Sequence, residues 1–244
     1  MTRFLQLTSL ALCFACASAR ASSDSAASND LALHVTIASD YRFRGISQTD
    51  LKPAVQGGID YSDAKIGDYA GLWFSNVRWI DDSGGDDDVE CDLYAGLRGQ
   101  LTALMVYDVG YLAYLYPANR LQPSANTAEA YGQIRIASLA IKLSDSLTNF
   151  FGDSNSVHSR YFEVGTDIPF DHEWSITLHA GRQSISNNTP LSFRDWKIGV
   201  NREILDMEYA LAFVGTDTRH YTDPRSNSAN LGKTSLILSI TKTF

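Results

Sequence analysis

The chain has 244 residues, a net charge of −8, 44% hydrophobic and 11% aromatic content, with 12 Tyr, 11 Phe and 17 Gly. That length accommodates a single all-β domain, and the acidic balance argues against nucleic acid or an anionic membrane surface as partner. No zinc-type Cys/His spacing, P-loop or Rossmann glycine pattern occurs, so no cofactor and no metal is expected.

Residues 1–21 read as a cleaved signal peptide. Arg3 supplies the positive start, Phe4 to Cys16 the apolar run, and Ala17-Ser18-Ala19 or Ala19-Arg20-Ala21 the small-residue cleavage site. A lipoprotein anchor at Cys16 fits poorly, because Cys13-Phe14-Ala15 is a weak lipobox. Cys13 and Cys16 leave with the peptide, so only Cys91 remains and no intramolecular disulfide forms. Residues 22–30 form a short Ser/Ala-rich leader, and residues 31–244 are expected to be one β domain.

The domain opens on alternation. Over 31–44, Val35, Ile37, Tyr41 and Phe43 share one parity, and Thr36, Asp40, Arg42 and Arg44 the other; in a strand these sets lie on opposite faces. A polar loop ending at Pro53 leads to 54–62, where Val55, Ile59 and Tyr61 oppose Gln56, Asp60 and Ser62. Over 69–80, Tyr69, Trp73, Val77 and Trp79 oppose Asn76 and Arg78, with Leu72 and Phe74 spoiling the polar face. Residues 89–98 set Val89, Cys91, Leu93, Ala95 and Leu97 against Glu90, Asp92, Tyr94 and Arg98. Residues 103–116 are apolar on both parities apart from Asp108, and 128–136 place Ile134 and Ile136 against Glu129, Gln133 and Arg135.

The second half continues the design. Leu139, Ile141 and Leu143 oppose Lys142; Phe162, Val164 and Ile168 oppose Glu163 and Asp167; Trp174, Ile176, Leu178 and Ala180 oppose Thr177 and His179. Trp196, Ile198 and Val200 then oppose Asp195, Lys197 and Asn201. Met207, Tyr209, Leu211 and Phe213 oppose Asp206 and Glu208, and Leu236, Leu238, Ile240 and Phe244 oppose Ser239, Thr241 and Thr243. This gives roughly twelve strands, an even number as in single-chain bacterial barrels. The connections alternate long and short, which predicts an up-and-down antiparallel transmembrane β-barrel with short turns at one rim.

Alternation alone leaves open which face is inside, since a soluble sandwich buries the apolar one. A closed barrel of this size is too wide for its own side chains to fill, which favours a polar, wet lumen. Tyr41, Phe43, Tyr61, Tyr69, Trp79, Trp174 and Phe244 are expected near the membrane interfaces.

Three segments carry a family resemblance: Ser39-Asp40-Tyr41-Arg42-Phe43-Arg44-Gly45-Ile46-Ser47-Gln48-Thr49, Pro53-Ala54-Val55-Gln56-Gly57, and Gly71-Leu72-Trp73-Phe74-Ser75-Asn76-Val77. With Asp108-Val109-Gly110-Tyr111, Tyr114, Tyr116-Pro117 and Asp195-Trp196-Lys197-Ile198-Gly199-Val200, they resemble the proteobacterial TorF-like porins, also catalogued as Gcw_chp. The resemblance implies an outer-membrane barrel and a pore, with no established solute.

Turning the polar parity inward makes Asp40, Arg42, Arg44, Asp60, Arg78, Glu90, Asp92, Arg98, Glu129, Arg135, Glu163, Asp167, Asp195 and Lys197 the lumen-lining candidates, with Asp108, Lys142, Asp206 and Glu208 beside them. Rings of side-chain charge select ions and small solutes, and the acid excess favours cations. The competing reading has Arg42 and Arg44 pair with carboxylates and brace a nearly closed barrel. The expected partners are outer-membrane lipid and small hydrophilic solutes or ions; a homo-oligomer is left open. A non-conducting structural barrel is the first alternative. A lipid hydrolase in the barrel is the second, for which His158-Ser159 is the one adjacent pair, and an enzyme is not expected. The acidic stretch Asp81 to Asp88 offers carboxylate oxygens to a divalent cation but lacks the spacing of a calcium loop, and the favoured reading is a solvated acidic loop.

Overall fold

A computed structural model describes residues 29–171, 173–223 and 229–244, so the segment read as a signal peptide lies outside the described residues. Twelve strands form the wall: β1 Asn29–Ala38, β2 Ala54–Asp63, β3 Asp68–Asn76, β4 Val89–Thr102, β5 Met105–Leu115 and β6 Thr127–Ile136 in the first half. The second half contributes β7 Leu139–Ser146, β8 Arg160–Asp171, β9 Trp174–Ser184, β10 Phe193–Ile204, β11 Met207–Thr216 and β12 Ser235–Thr243. Each strand pairs with its chain neighbours, and β12 returns to β1 with Thr36 opposite Thr241, closing an antiparallel barrel. Short links follow β2, β4, β6, β8 and β10, and longer ones follow the odd-numbered strands, so the two rims differ as the spacing predicts.

The period-two pattern decides the facing. On β1, Leu31, Leu33, Val35 and Ile37 are all at least 46% exposed, while His34, Thr36 and Ala38 are at most 2% exposed. The same outward apolar set recurs on every wall strand, from Val55 and Ile59 through Phe162 and Ile198 to Leu236 and Leu238. A belt of bare Leu, Ile, Val and Phe around the whole circumference is far larger than a soluble monomer exposes, and it matches the acyl-chain layer. No helix among the described residues is long and apolar enough to cross a membrane; the strands form the wall.

Strand β3 reverses the expected phase. Leu72 and Phe74 point outward and Tyr69 and Trp73 inward, because β3 registers Leu72 between the outward Ile59 and Leu93. Paired residues across a ladder share a face, so the neighbours override the parity of the bulkier rings. Arg78, expected on the lumen wall, lies beyond the strand end at Asn76 and is exposed at the start of the short helix α1, Trp79–Asp82.

The first strand is also shorter than its alternation implies. It ends at Ala38, and residues 39–53 fold into the barrel instead of prolonging the wall. Of the aromatics expected at the interfaces, Tyr61 and Phe244 are exposed, whereas Tyr41, Phe43, Tyr69 and Trp79 sit inside. The wall reading is checked by an outward charge. Leu238→Arg is expected to lower the unfolding free energy in phosphatidylcholine vesicles by about 2–4 kcal/mol, and an unchanged urea midpoint contradicts the assignment.

Candidate functional site

The inward loop starts from the carboxylate of Asp40. Its Oδ1 accepts from Ser47 Oγ at 2.6 Å and Thr49 Oγ1 at 3.1 Å, and its Oδ2 accepts from Arg42 Nε at 2.6 Å. This network turns the chain off the wall, as aspartate bonds with nearby loop groups commonly do. Arg42–Phe43 then pairs with Ile46–Ser47 as a minimal hairpin. Its two turn residues, Arg44 (φ 47°) and Gly45 (φ 81°), both occupy the left-handed region that two-residue hairpins require. Gly45 is also pressed against the wall: a Cβ there would lie 2.6 Å from Thr216 Cγ2 and 2.9 Å from the Asp195 Cβ.

Both arginines are spent on holding the loop. Arg42 donates from Nη1 to the carbonyls of Gly45, Leu231 and Lys233 and from Nη2 to Ser235 Oγ, reaching the start of β12. Arg44 crosses the lumen to Glu129 Oε2 on β6 at 2.6 Å and Gln183 Oε1 on β9 at 2.5 Å. Its guanidinium lies 4.1 Å from the Tyr161 ring centroid and 4.7 Å from that of Phe43. Both partners of the Arg44–Glu129 pair are 2% exposed at the side chain. A buried charge of either sign is tolerated only when paired and hydrogen-bonded, and here each side has several partners.

Around the loop, the half of the lumen nearest the long connections is filled. Tyr41 and Phe43 join Trp73, Val77, Ile80, Leu112, Tyr114 and Tyr116 in one apolar cluster, with Trp79 and Phe151 packed against it. Edge-on ring contacts run from Phe43 to Tyr114 and from Trp79 to Tyr116. On the opposite side of the hairpin, Ile46 packs with Phe193 and Leu231. The expected water-filled bore is therefore corrected at this end. The excess width of twelve strands is occupied by a segment of the chain itself.

The other half of the lumen is polar and partly solvated. Asp60 accepts from Tyr94 Oη and lies 3.2 Å from His34 Nδ1. Tyr69 donates to Asp108 and contacts Tyr131 through its hydroxyl, with the Arg98 guanidinium 4.3 Å above its ring. Lys142 Nζ sits 3.7 Å over Tyr131, and Thr177 Oγ1 donates to Asp167. Between the halves, His179 lies 2.8 Å from Asp195 and 3.5 Å from Glu163, and Tyr161 Oη donates to Asp195 at 2.9 Å. The rings lie close to the wall because glycines leave room for them: a Cβ at Gly181 would overlap Tyr161.

The sequence-derived candidates thus separate into groups. Asp40, Arg42 and Arg44 belong to the inward loop; Glu90, Asp92, Glu129 and Asp195 are buried on the wall around it. Asp60, Arg98, Arg135, Glu163, Asp167 and Lys197 share the inward parity of their strands below it, and Arg78 is outside. Gln183, Tyr161, Tyr131 and His34 were missed as lining residues, although each shares the parity of a polar neighbour on its strand, and Tyr94 lies on the inward parity expected for it. The His158–Ser159 pair does not form a base–nucleophile couple. Ser159 Oγ donates to the Ser156 carbonyl at 2.6 Å, while His158 Nδ1 lies 2.8 Å from Asp145.

A closed antiparallel wall with an apolar exterior, a charged interior and a loop folded into its bore defines an outer-membrane-type β-barrel. The chain belongs to the Gcw_chp family, described as bacterial proteins of unknown function, whose model matches residues 21–244. No curated protein matches it in sequence. Among solved structures, the KdgM porin superposes with a TM-score of 0.59 at 7% identity, covering 87% of this chain and 99% of that one. KdgM in complex with disordered oligogalacturonate gives 0.55 at 7% identity, covering 89% and 99%. The NanC porin gives 0.54 at 8% identity, covering 88% and 98%. At such identities the likeness is one of fold.

The Arg44–Glu129 pair supplies a direct test of the bracing. Arg44→Met leaves Glu129 buried without its counter-charge and is expected to cost about 3–5 kcal/mol. Adding Glu129→Gln should recover most of that loss. Urea unfolding followed by tryptophan fluorescence measures both, and equal stability of the single and double variants refutes the bracing role.

Proposed function

We propose that the chain is an outer-membrane pore of the TorF-like porin type, passing small hydrophilic solutes or ions through a lumen narrowed by residues 39–53. The observation that carries this reading is the partly solvated, charged chamber lined by Asp60, Arg98, Asp108, Arg135, Glu163, Asp167 and Lys197. A barrel that served only as a structural wall has no need of so many ionised groups facing one space, since each costs free energy unless solvated or paired.

Charge sets the solute class. Over the whole lumen the inward acids outnumber the inward bases, with the surplus in Glu90, Asp92 and Asp195 around the narrow end, so the pore disfavours polyanions of the oligogalacturonate kind that the KdgM complex contains, and favours cations and neutral solutes. The inward loop plays the part of a constriction: it shortens the narrow zone to one end and fixes it with Arg42 and Arg44. An exported chain with this wall resides in the outer membrane, its N-terminal strand start and the short links on one side and the long connections on the other.

A second reading has its own support. The packed Tyr41–Trp73–Tyr114 layer and the braced hairpin describe a barrel stoppered at one end, which would be structural and non-conducting. Planar-bilayer recording separates the two. The purified protein should give discrete current steps with a reversal potential on the cation side in a KCl gradient. Replacing residues 42–48 by Gly and Ser should raise the unitary conductance. Steps only in the replaced chain establish the stoppered barrel, and anion-side reversal rejects the charge assignment.

A further inference from the structure

At the long-connection mouth, three carboxylates from three separate segments converge. Asp50 comes from the inward loop, Asp82 from the end of α1, and Asp223 from the connection between β11 and β12. One oxygen of each lies within 4.8 Å of the other two. This is not a solvated acidic face. Asp50 and Asp223 are only 6% and 3% exposed, and Asp50 Oδ1 is sealed from solvent with no hydrogen-bond donor.

We propose that Asp50, Asp82 and Asp223 bind one calcium ion, which clasps the inward loop to the outer connections. Calcium takes oxygen ligands at 2.3–2.6 Å in adaptable geometry, so ligands on opposite sides of one ion stand about 4.6–5.2 Å apart. The 4.8 Å grouping therefore fits a single coordination sphere, completed by water or carbonyl oxygens. The set contains no nitrogen or sulfur ligand, which disfavours zinc and copper, and its origin on three loops suits calcium better than the stricter octahedron of magnesium.

The site is distinct from the acidic run that stands out in the sequence. From that run it uses only Asp82, whereas Asp86 pairs with Arg120 at 3.1 Å and Asp87 accepts from the Val89 and Ala118 amides. It does not depend on whether the barrel conducts.

The test uses the full mature chain in detergent, stripped with EDTA and titrated with CaCl2 alone by calorimetry. Terbium luminescence sensitised by Trp79 provides a second readout. A one-site isotherm and a calcium-dependent rise in the thermal midpoint are expected. Asp50→Asn and Asp223→Asn should each abolish both, while Asp86→Asn keeps them; heat-modifiable gel migration verifies that each variant is folded. If Asp223→Asn fails to fold, Asp50→Asn alone decides. Absence of binding by the wild type, binding that survives Asp50→Asn, or displacement of calcium by equimolar magnesium overturns the proposal.

Discussion

Twelve strands enclose more space than their own inward side chains fill, and that mismatch governs the interior. An eight-stranded wall can be closed with side chains alone; a wider one must hold water, a ligand or a further piece of chain. This barrel uses two of those solutions at different heights. A folded-in segment and an aromatic layer occupy one end, and charged groups with solvent access occupy the other. The division explains why the inward face of the wall carries both fully buried ions, such as Glu129 on β6, and wetter ones, such as Asp167 on β8.

The buried end is held by electrostatics that the membrane context amplifies. Arg44 and Glu129 have lost nearly all contact with water, so each is viable only because the other is present, together with Gln183 and the flanking rings. Arg42 works differently. Most of its hydrogen bonds go to carbonyl oxygens, which satisfy backbone acceptors that irregular chain would otherwise leave orphaned inside a barrel. One arginine therefore neutralises charge and the other completes backbone bonding. A lysine could not reproduce the second role, because it lacks the planar fork that reaches several oxygens at once.

Much of the wall was legible because membrane barrels write their geometry in period two. Strand number, the alternation of link lengths and the inward parity of Glu129, Glu163, Asp195 and Lys197 follow directly from the pattern. The pattern fails where a segment keeps alternating after it has left the sheet. Tyr41, Phe43, Arg42 and Arg44 continue the rhythm of β1, yet Asp40 turns them into the bore. Alternation records only that two sides of a ribbon differ, and a hairpin wedged between an aromatic cluster and an ionic wall has two different sides as well. Strand β3 was misread for another reason: Trp73 and Tyr69 are apolar enough to pass for lipid-facing residues, and only the register with Ile59 and Leu93 corrects them. Convergence of Asp50, Asp82 and Asp223 was invisible, since no local spacing relates three separate connections.

The seam where the sheet meets itself is the shortest run of pairing in the wall, from His34 opposite Thr243 to Ala38 opposite Ser239. It joins residues some two hundred positions apart, so it has the largest loop-closure cost of any pairing in the wall. The Arg42 bonds to Leu231, Lys233 and Ser235 bridge the same junction from the inside. The contacts that seal the cylinder and those that fasten the inward loop therefore meet at one place. A chain zipped along eleven of its edges would still lack the finished interior until its two extremities met.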